Sequence, residues 1–285
     1  THKDLLEDQE IDAVIVTLPR KLTANVCLEA LKAKKHVITE KPLALNLDMA
    51  KKLKNNALKN NKNILVGYMK KNDAGVKAFS QLITKKLKNS KLILIQANCF
   101  MGNSYCNPFG DYKGVKLPYK VNNSIEKFPL FLSKKNQIGY ENFLNVYSHL
   151  IDLLCHILPK KMELCFSNIN SNGHGICNFV SDNIPIVLST GNIKLNQWKE
   201  DLTFIFEDEI LNLKLPPALL KNVPASFSSE KGSKTFVKEE IKVDWSWSFL
   251  NQASEFIKIC SHNTIDNTYL NDAIESIFLV NEIFK

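Results

Sequence analysis

KHVITEKPLALN, residues 35–46, is a short β-branched run that ends on two opposite charges and a proline. Val37, Ile38 and Thr39 suit a pleated strand. Pro42 cannot continue a ladder, because it has no N–H and its φ is fixed. Two readings stand at this point. Residues 40–42 form a solvated turn, or the carboxyl end of a buried strand delivers Lys41 into a site.

The flanking sequence repeats the strand signal. IDAVIVTLP (11–19) is a β-branched apolar run closed by Pro19, read as a strand buried on both faces, and NILVGY (63–68) is a third run of that kind. Between them, TANVCLEALKAK (23–34) is helical in character. A further helix is expected from a cap at Asn46 to about residue 59, with Met49, Leu53, Ala57 and Leu58 on its apolar side. Strand, helix, strand, helix, strand at short spacing means βαβ units and a parallel sheet. In a doubly wound sheet the first strand lies centrally, beside the fourth. Read as that fourth strand, IDAVIVTLP has a hydrophobic edge that earlier strands would cover. The chain is therefore expected to be a piece of a longer product, and no G-x-G-x-x-G occurs in it.

Beyond residue 70 the pattern changes. A helix at about 73–86 precedes KLILIQANCF (91–100), then an irregular segment rich in Asn, Gly, Pro, Phe and Tyr. Its Tyr105, Phe109, Tyr112 and Tyr119 are the aromatics expected to shape a pocket. A helix at about 141–158 follows. Residues 162–215 read as antiparallel, with Leu202, Phe204 and Phe206 of LTFIF on one face before the EDE turn. Two helices, at about 247–261 and 269–284, close the chain. The expected fold is α/β plus α+β. Residues 1–70 are the C-terminal part of a Rossmann-type parallel sheet. Residues 71–285 are a larger, open, mainly antiparallel sheet domain with helices on one face, its last helices returning towards the first domain. No internal repeat is present.

The composition is ordinary for a globular chain of 285 residues, with 45% hydrophobic and 23% charged residues. The net charge of +8 comes almost wholly from lysine, since Arg20 is the only arginine. Bidentate recognition of phosphate and guanine is arginine's speciality, and runs such as KNNALKNNKN (54–63) read as solvated faces. No nucleic-acid partner is expected. No apolar run approaches the roughly 18 residues of a membrane span, so none is expected at a membrane either. The seven cysteines form no C-x-x-C pair and sit mostly among apolar neighbours. They suggest buried, reduced thiols of a cytoplasmic protein.

ENFLNVYSHLIDLLCHIL (141–158) carries the chemistry. At about 100° per residue, with Asn145 at zero, His149 falls near ~40°, Asp152 near ~340° and His156 near ~20°. An amphipathic helix with a solvent face explains this stripe as it stands. Against that reading, the stripe holds no Lys or Glu, although lysine is the commonest charged residue in the chain. His149, Asp152 and His156 share a face, yet no fourth ligand accompanies them, so no metal is expected.

The elements TLP, KHVITEKPLALN, GYMKKNDAGVK (67–77), FLNVYSHLIDLL (143–154), LPPALLKNVPASF (215–227) and WSWSFLNQASEFI (245–257) resemble, in order, the Gfo/Idh/MocA family of NAD(P)-dependent oxidoreductases. The resemblance spans nearly the whole chain. It implies NAD or NADP as cofactor, passing Thr17, Leu18, Pro19 and Arg20 and the Glu40–Lys41–Pro42 turn. It implies Lys41 as a substrate-contacting lysine at the nicotinamide end, and His149 as the catalytic histidine. Asn145 stands where many members carry an Asp. Lys71, Tyr147 and Asp152 are the further residues expected near substrate. The implied substrate is a sugar, a cyclitol or another polyol, or a nucleotide-linked sugar. The implied assembly is a homo-oligomer, a dimer or tetramer, through the open face of the second sheet.

These residue types suit that chemistry. An imidazole titrates near the operating pH and can exchange the hydroxyl proton. An ammonium at Lys41 would orient the oxygen and stabilise a developing alkoxide. An X-Pro bond can be cis, one means of turning Lys41 into a cleft. The departures point the other way. Asn145 can orient His149 but cannot stabilise an imidazolium as a carboxylate does. Lys71 and Asn72 replace a common Arg and Tyr, and Thr23 a common His. A non-catalytic descendant acting in binding or assembly is the alternative function.

Overall fold

The computed structural model describes residues 1–102, 125–232, 235–261 and 265–285. In chain order the elements begin with α1 (His2–Glu7), β1 (Ala13–Val16), α2 (Arg20–Lys32), β2 (His36–Thr39), α3 (Leu47–Lys59) and β3 (Ile64–Val66). Next come α4 (Ala74–Lys86), β4 (Leu92–Met101), α5 (Gln137–Asn142) and α6 (Ser148–Ile157), with a π-helical turn, Phe143–Tyr147, joining α5 to α6. Strands β5 (Glu163–Ile169), β6 (Gly175–Ser181), β7 (Ile184–Asn192), β8 (Trp198–Phe206), β9 (Glu209–Lys214), β10 (Ser226–Lys231) and β11 (Val237–Ile241) follow. Helices α7 (Ser248–Ser261) and α8 (Thr268–Phe284) end the chain. The aromatics Tyr105, Phe109, Tyr112 and Tyr119 lie outside the described residues.

The chain divides into two compact units. The first gathers residues 1–68 with the described parts of 121–152 and 252–285, and the second the described parts of 69–120 and 153–251. The first holds a three-stranded parallel sheet in the order β1-β2-β3, with Val14 beside Val37 and Val37 beside Ile64. β2 is paired on both sides. β1 is an edge, and its Ile15 is 75% exposed, so the two-faced burial expected of IDAVIVTLP is not realised there. Beside it, Leu5, Leu6, Ile11, Val14, Val26 and Ala30 line an apolar hollow of about 430 Å³.

Helix α3 starts where its cap was expected, the Asn46 side chain accepting from the Met49 N–H at 2.9 Å. Its buried stripe is Ala50, Leu53 and Ala57 rather than one including Leu58, which is exposed. Spacing of three and four residues selects that face. Leu65 of β3 packs with Phe256 and Ile259 of α7 in a small buried cluster.

The second unit is built on an eight-stranded sheet, β11-β10-β9-β8-β4-β7-β6-β5. All neighbours are antiparallel except β4 and β7, which run parallel with Ile95 beside Ile186. Alternation places Leu202, Phe204 and Phe206 of β8 inside, as their spacing predicts. Phe79 of α4 meets Phe204 and Phe227 edge-on, with centroids 5.5 Å from each. The α4 start is fixed by Asp73, whose Oδ1 accepts from the Gly75, Val76 and Ala225 N–H groups. A Cβ on Gly75 would stand 1.9 Å from the Ala225 carbonyl oxygen, so only glycine fits that approach.

Among the described residues the cysteines are free. Cys27, Cys99 and Cys177 are buried, and burial pushes the Cys27 and Cys177 thiols up to about 12. Cys165 departs from the expectation and is exposed, on edge strand β5. No helix among the described residues is long and apolar enough to cross a membrane.

Candidate functional site

The site grows from the carboxyl end of β2. The Glu40 N–H donates to the Val16 carbonyl at 3.0 Å, which keeps the chain alongside β1 for one residue past the strand. The Lys41–Pro42 peptide bond is cis. Leu43, Ala44 and Leu45 then run through the interior at 1% exposure or less. This route removes the solvated-turn reading for the residues that follow Lys41, since a turn in water would not bury three consecutive apolar side chains.

The Lys41 ammonium donates to the Asn145 backbone carbonyl at 2.6 Å and to its Oδ1 at 2.7 Å. Two acceptors from one residue hold the ammonium in a fixed place. Both come from the π-helical turn, where the chain is wound wider than in an α-helix. Such turns occur as short bulges within helices, frequently at functional sites. Sequence periodicity assumed one uniform helix here and could not show the bulge.

One turn further on, His149 lies at the start of α6 with 8% exposure, and Asp152 is fully buried. The solvent-face reading of the polar stripe therefore fails, as its lack of Lys and Glu suggested. The His149 ring meets Tyr68 edge-on, with centroids 5.3 Å apart and planes at 84°. Tyr68 was not singled out from the sequence. Its only signal was its position two residues past β3, on the same side of the sheet connections as Lys41.

The other expected residues divide sharply. Thr17, Leu18 and Pro19 stand exposed at the carboxyl end of β1, with Arg20 half-buried at the start of α2. Thr23 anchors that turn by donating to the Leu18 carbonyl at 3.0 Å. Tyr147 is fully buried, with its ring 5.0 Å from that of Phe143. Lys71 belongs to the second unit, in a buried 3₁₀ turn, Met69–Asn72. In that unit its neighbour Lys70 forms a buried ion pair with Glu200, whose carboxylate also accepts from the Trp198 indole N–H at 2.9 Å. Among the described residues no group of three or more His, Cys, Asp or Glu side chains could hold a metal ion.

Comparison with known proteins fits this geometry. Residues 1–68 match the model of the Gfo/Idh/MocA oxidoreductase family, described as an NAD-binding Rossmann fold. Over those 68 residues the chain is similar to that family. An inositol 2-dehydrogenase/D-chiro-inositol 3-dehydrogenase of Lacticaseibacillus casei is 33% identical over 91 residues, which cover 32% of this chain and 26% of that one. An inositol 2-dehydrogenase of Salmonella typhimurium is 31% identical over 83 residues, covering 29% and 25%. The matched stretch thus spans about a quarter of the length of these curated relatives.

Structural likeness reaches further along the chain. A 3-ketoreductase of Actinomadura kijaniata, solved with NADP and TDP-benzene, superposes with a TM-score of 0.73 at 16% identity, covering 99% of this chain and 80% of that one. A putative NADPH-dependent oxidoreductase of Desulfitobacterium hafniense gives 0.76 at 15%, covering 100% and 80%. At such identities the likeness shows a shared fold, the parallel Rossmann-type sheet followed by the larger mixed sheet.

Proposed function

We propose that the protein is an NAD(P)-dependent oxidoreductase that moves hydride between nicotinamide and a CH–OH or keto carbon of a sugar, a cyclitol or a nucleotide-linked sugar. One observation carries the reading. In a segment of an NAD-binding family, the lysine after β2 is held on Asn145, one helical turn before a buried histidine.

The residues present fit one end of the cofactor. Thr17, Leu18, Pro19 and Arg20 at the end of β1, with Glu40, Lys41 and Pro42 at the end of β2, would line it where ligands bind in open α/β sheets, at the strands' carboxyl ends. When bound, the nicotinamide accepts or supplies the hydride. Lys41 holds the substrate oxygen by its ammonium and stabilises negative charge as the oxygen loses its proton. His149 Nε2 or Nδ1 takes that proton in oxidation and returns it in reduction. Asn145 keeps the ammonium aimed, and Tyr68 limits the tilt of the His149 ring. A cytoplasmic location and a homo-oligomer, joined through the open face of the eight-stranded sheet, complete the reading.

The complete protein tests it. Titration with NAD(H) and NADP(H), followed by a panel of cyclitols, sugars and nucleotide sugars, should give binding and turnover, and Lys41→Ala and His149→Ala should abolish turnover in folded protein. Absence of cofactor binding overturns the reading. Binding without turnover across the panel favours a binding or assembly role instead.

A further inference from the structure

Glu126 has no part in the reading above, and no sequence motif singles it out. It is 5% exposed, on an irregular segment before α5. Its Oε1 accepts from the Leu45 N–H at 2.8 Å, the Asn46 N–H at 3.1 Å and the Asn46 side-chain amide at 3.1 Å. Its own N–H donates to the Lys21 carbonyl on α2 at 2.8 Å. On the carbonyl side of the same residue, the Tyr140 hydroxyl lies 2.8 Å from the Leu45 carbonyl oxygen and 2.7 Å from Asn281 Oδ1. The backbone at Leu45 is therefore gripped at both its N–H and its carbonyl, four residues after Lys41.

We infer that Glu126 is a positioning residue for Lys41: it clamps the 42–46 segment against α2 and the start of α3, and so fixes where the Lys41 ammonium meets Asn145. The inference deepens the oxidoreductase reading and rests on it for the task of Lys41. A carboxylate suits the clamp because it gathers three donors at the amino end of α3, where a negative charge is favoured.

The clamp is also sensitive to its own proton. Burial pushes the Glu126 carboxyl up to about 7, against the lowering effect of the Leu45 and Asn46 N–H groups. The titratable groups around it are Cys27 on α2 and Tyr140 on α5, both held neutral by burial, with Lys127 next to it in sequence and Lys21 beside it through the backbone contact. The Lys21 ammonium sits over the Phe128 ring, 5.1 Å from its centroid. Among the described residues none forms an ion pair with Glu126. Ionisation of Glu126 strengthens the grip on Leu45 and Asn46, and protonation weakens it.

Competitive acylation of lysines, read by mass spectrometry between pH 5.5 and 8.5, tests this without any turnover. The reactivity of Lys41 is taken relative to exposed Lys51. In the wild type this ratio should fall several-fold as pH rises through about 7, and in Glu126→Gln it should stay flat. A flat ratio in the wild type, or the same step in Glu126→Gln, overturns the inference. If Glu126→Gln does not fold, Glu126→Asp serves, since its carboxylate is one methylene short of Leu45 and the step must again vanish. Because the readout is labelling, failure of the clamp and failure of the enzyme reading are told apart. Once turnover is measured, the loss in Glu126→Gln should fall on kcat with the pH limb near 7 removed, and KM for cofactor should hold.

Discussion

Lys41 and Asn145 form a two-point contact: one ammonium, two acceptors on one residue, at 2.6 and 2.7 Å. The backbone acceptor survives any substitution at 145, so the side chain can be tested on its own. A hydrogen bond to a charged group contributes about 1.5–3 kcal/mol, and partial exposure of Lys41 argues for the low end. Asn145→Leu should lower kcat roughly tenfold, with cofactor affinity unchanged, by steady-state kinetics and cofactor titration. Asn145→Asp should keep or raise activity. Equal turnover in Asn145→Leu and wild type removes Asn145 from the site.

His149 carries the proton in the proposed chemistry. General acid–base groups contribute about 10²–10⁴ in rate, so His149→Gln should lose that much in turnover followed by NAD(P)H absorbance. Binding of cofactor should persist. A loss below threefold would assign the proton to another group.

Stability should depend on Glu126 in a defined direction. Its carboxyl lies near 7 in the folded protein against an ordinary 4.5. A carboxyl raised on folding favours the folded state below the ordinary value, and that contribution is lost as pH rises from 4.5 through about 7. The difference corresponds to about 3 kcal/mol. Urea unfolding at pH 5 and pH 8 should show wild type losing this much more stability on the alkaline side than Glu126→Gln. An unchanged difference between the two proteins contradicts the burial argument.

In the second unit the Lys70–Glu200 pair is buried on both sides, with side-chain exposures of 7% and 0%. Removing one partner leaves a charge without compensation, which costs about 3–5 kcal/mol. Lys70→Met and Glu200→Gln should each destabilise by about that amount in denaturant titrations. The double substitution Lys70→Met/Glu200→Gln should cost clearly less than the sum. Additive losses would mean the two groups do not act as a pair.

Much of the fold was legible because local chemistry and tertiary place agree. HVITE (36–40) reads as a strand and β2 takes its first four residues, Asn46 caps α3, and Asp73 caps α4, each a short-range decision made by residue type. Ile15 was misread because its burial depends on what lies beside β1, and periodicity along a strand carries no record of its neighbours. The helix at 141–158 was found, but its π turn was hidden, since periodicity along a sequence assumes one uniform winding throughout. Of the site, Lys41 and His149 announced themselves by motif. The Lys41–Asn145 contact and the Glu126 clamp did not, because each joins segments about eighty to a hundred residues apart.

The parallel pairing of β4 with β7 has a kinetic consequence. β5–β6–β7 and β8–β9–β10–β11 are each meanders that can zip up from hairpins. β4 is the seam between them, and its partners are made much later in the chain, Ile95 waiting for Ile186 and for Phe204. Sheets closed by such distant partners form slowly. During synthesis β4 emerges as an apolar strand with both edges bare, and the two meanders must find it before another chain does.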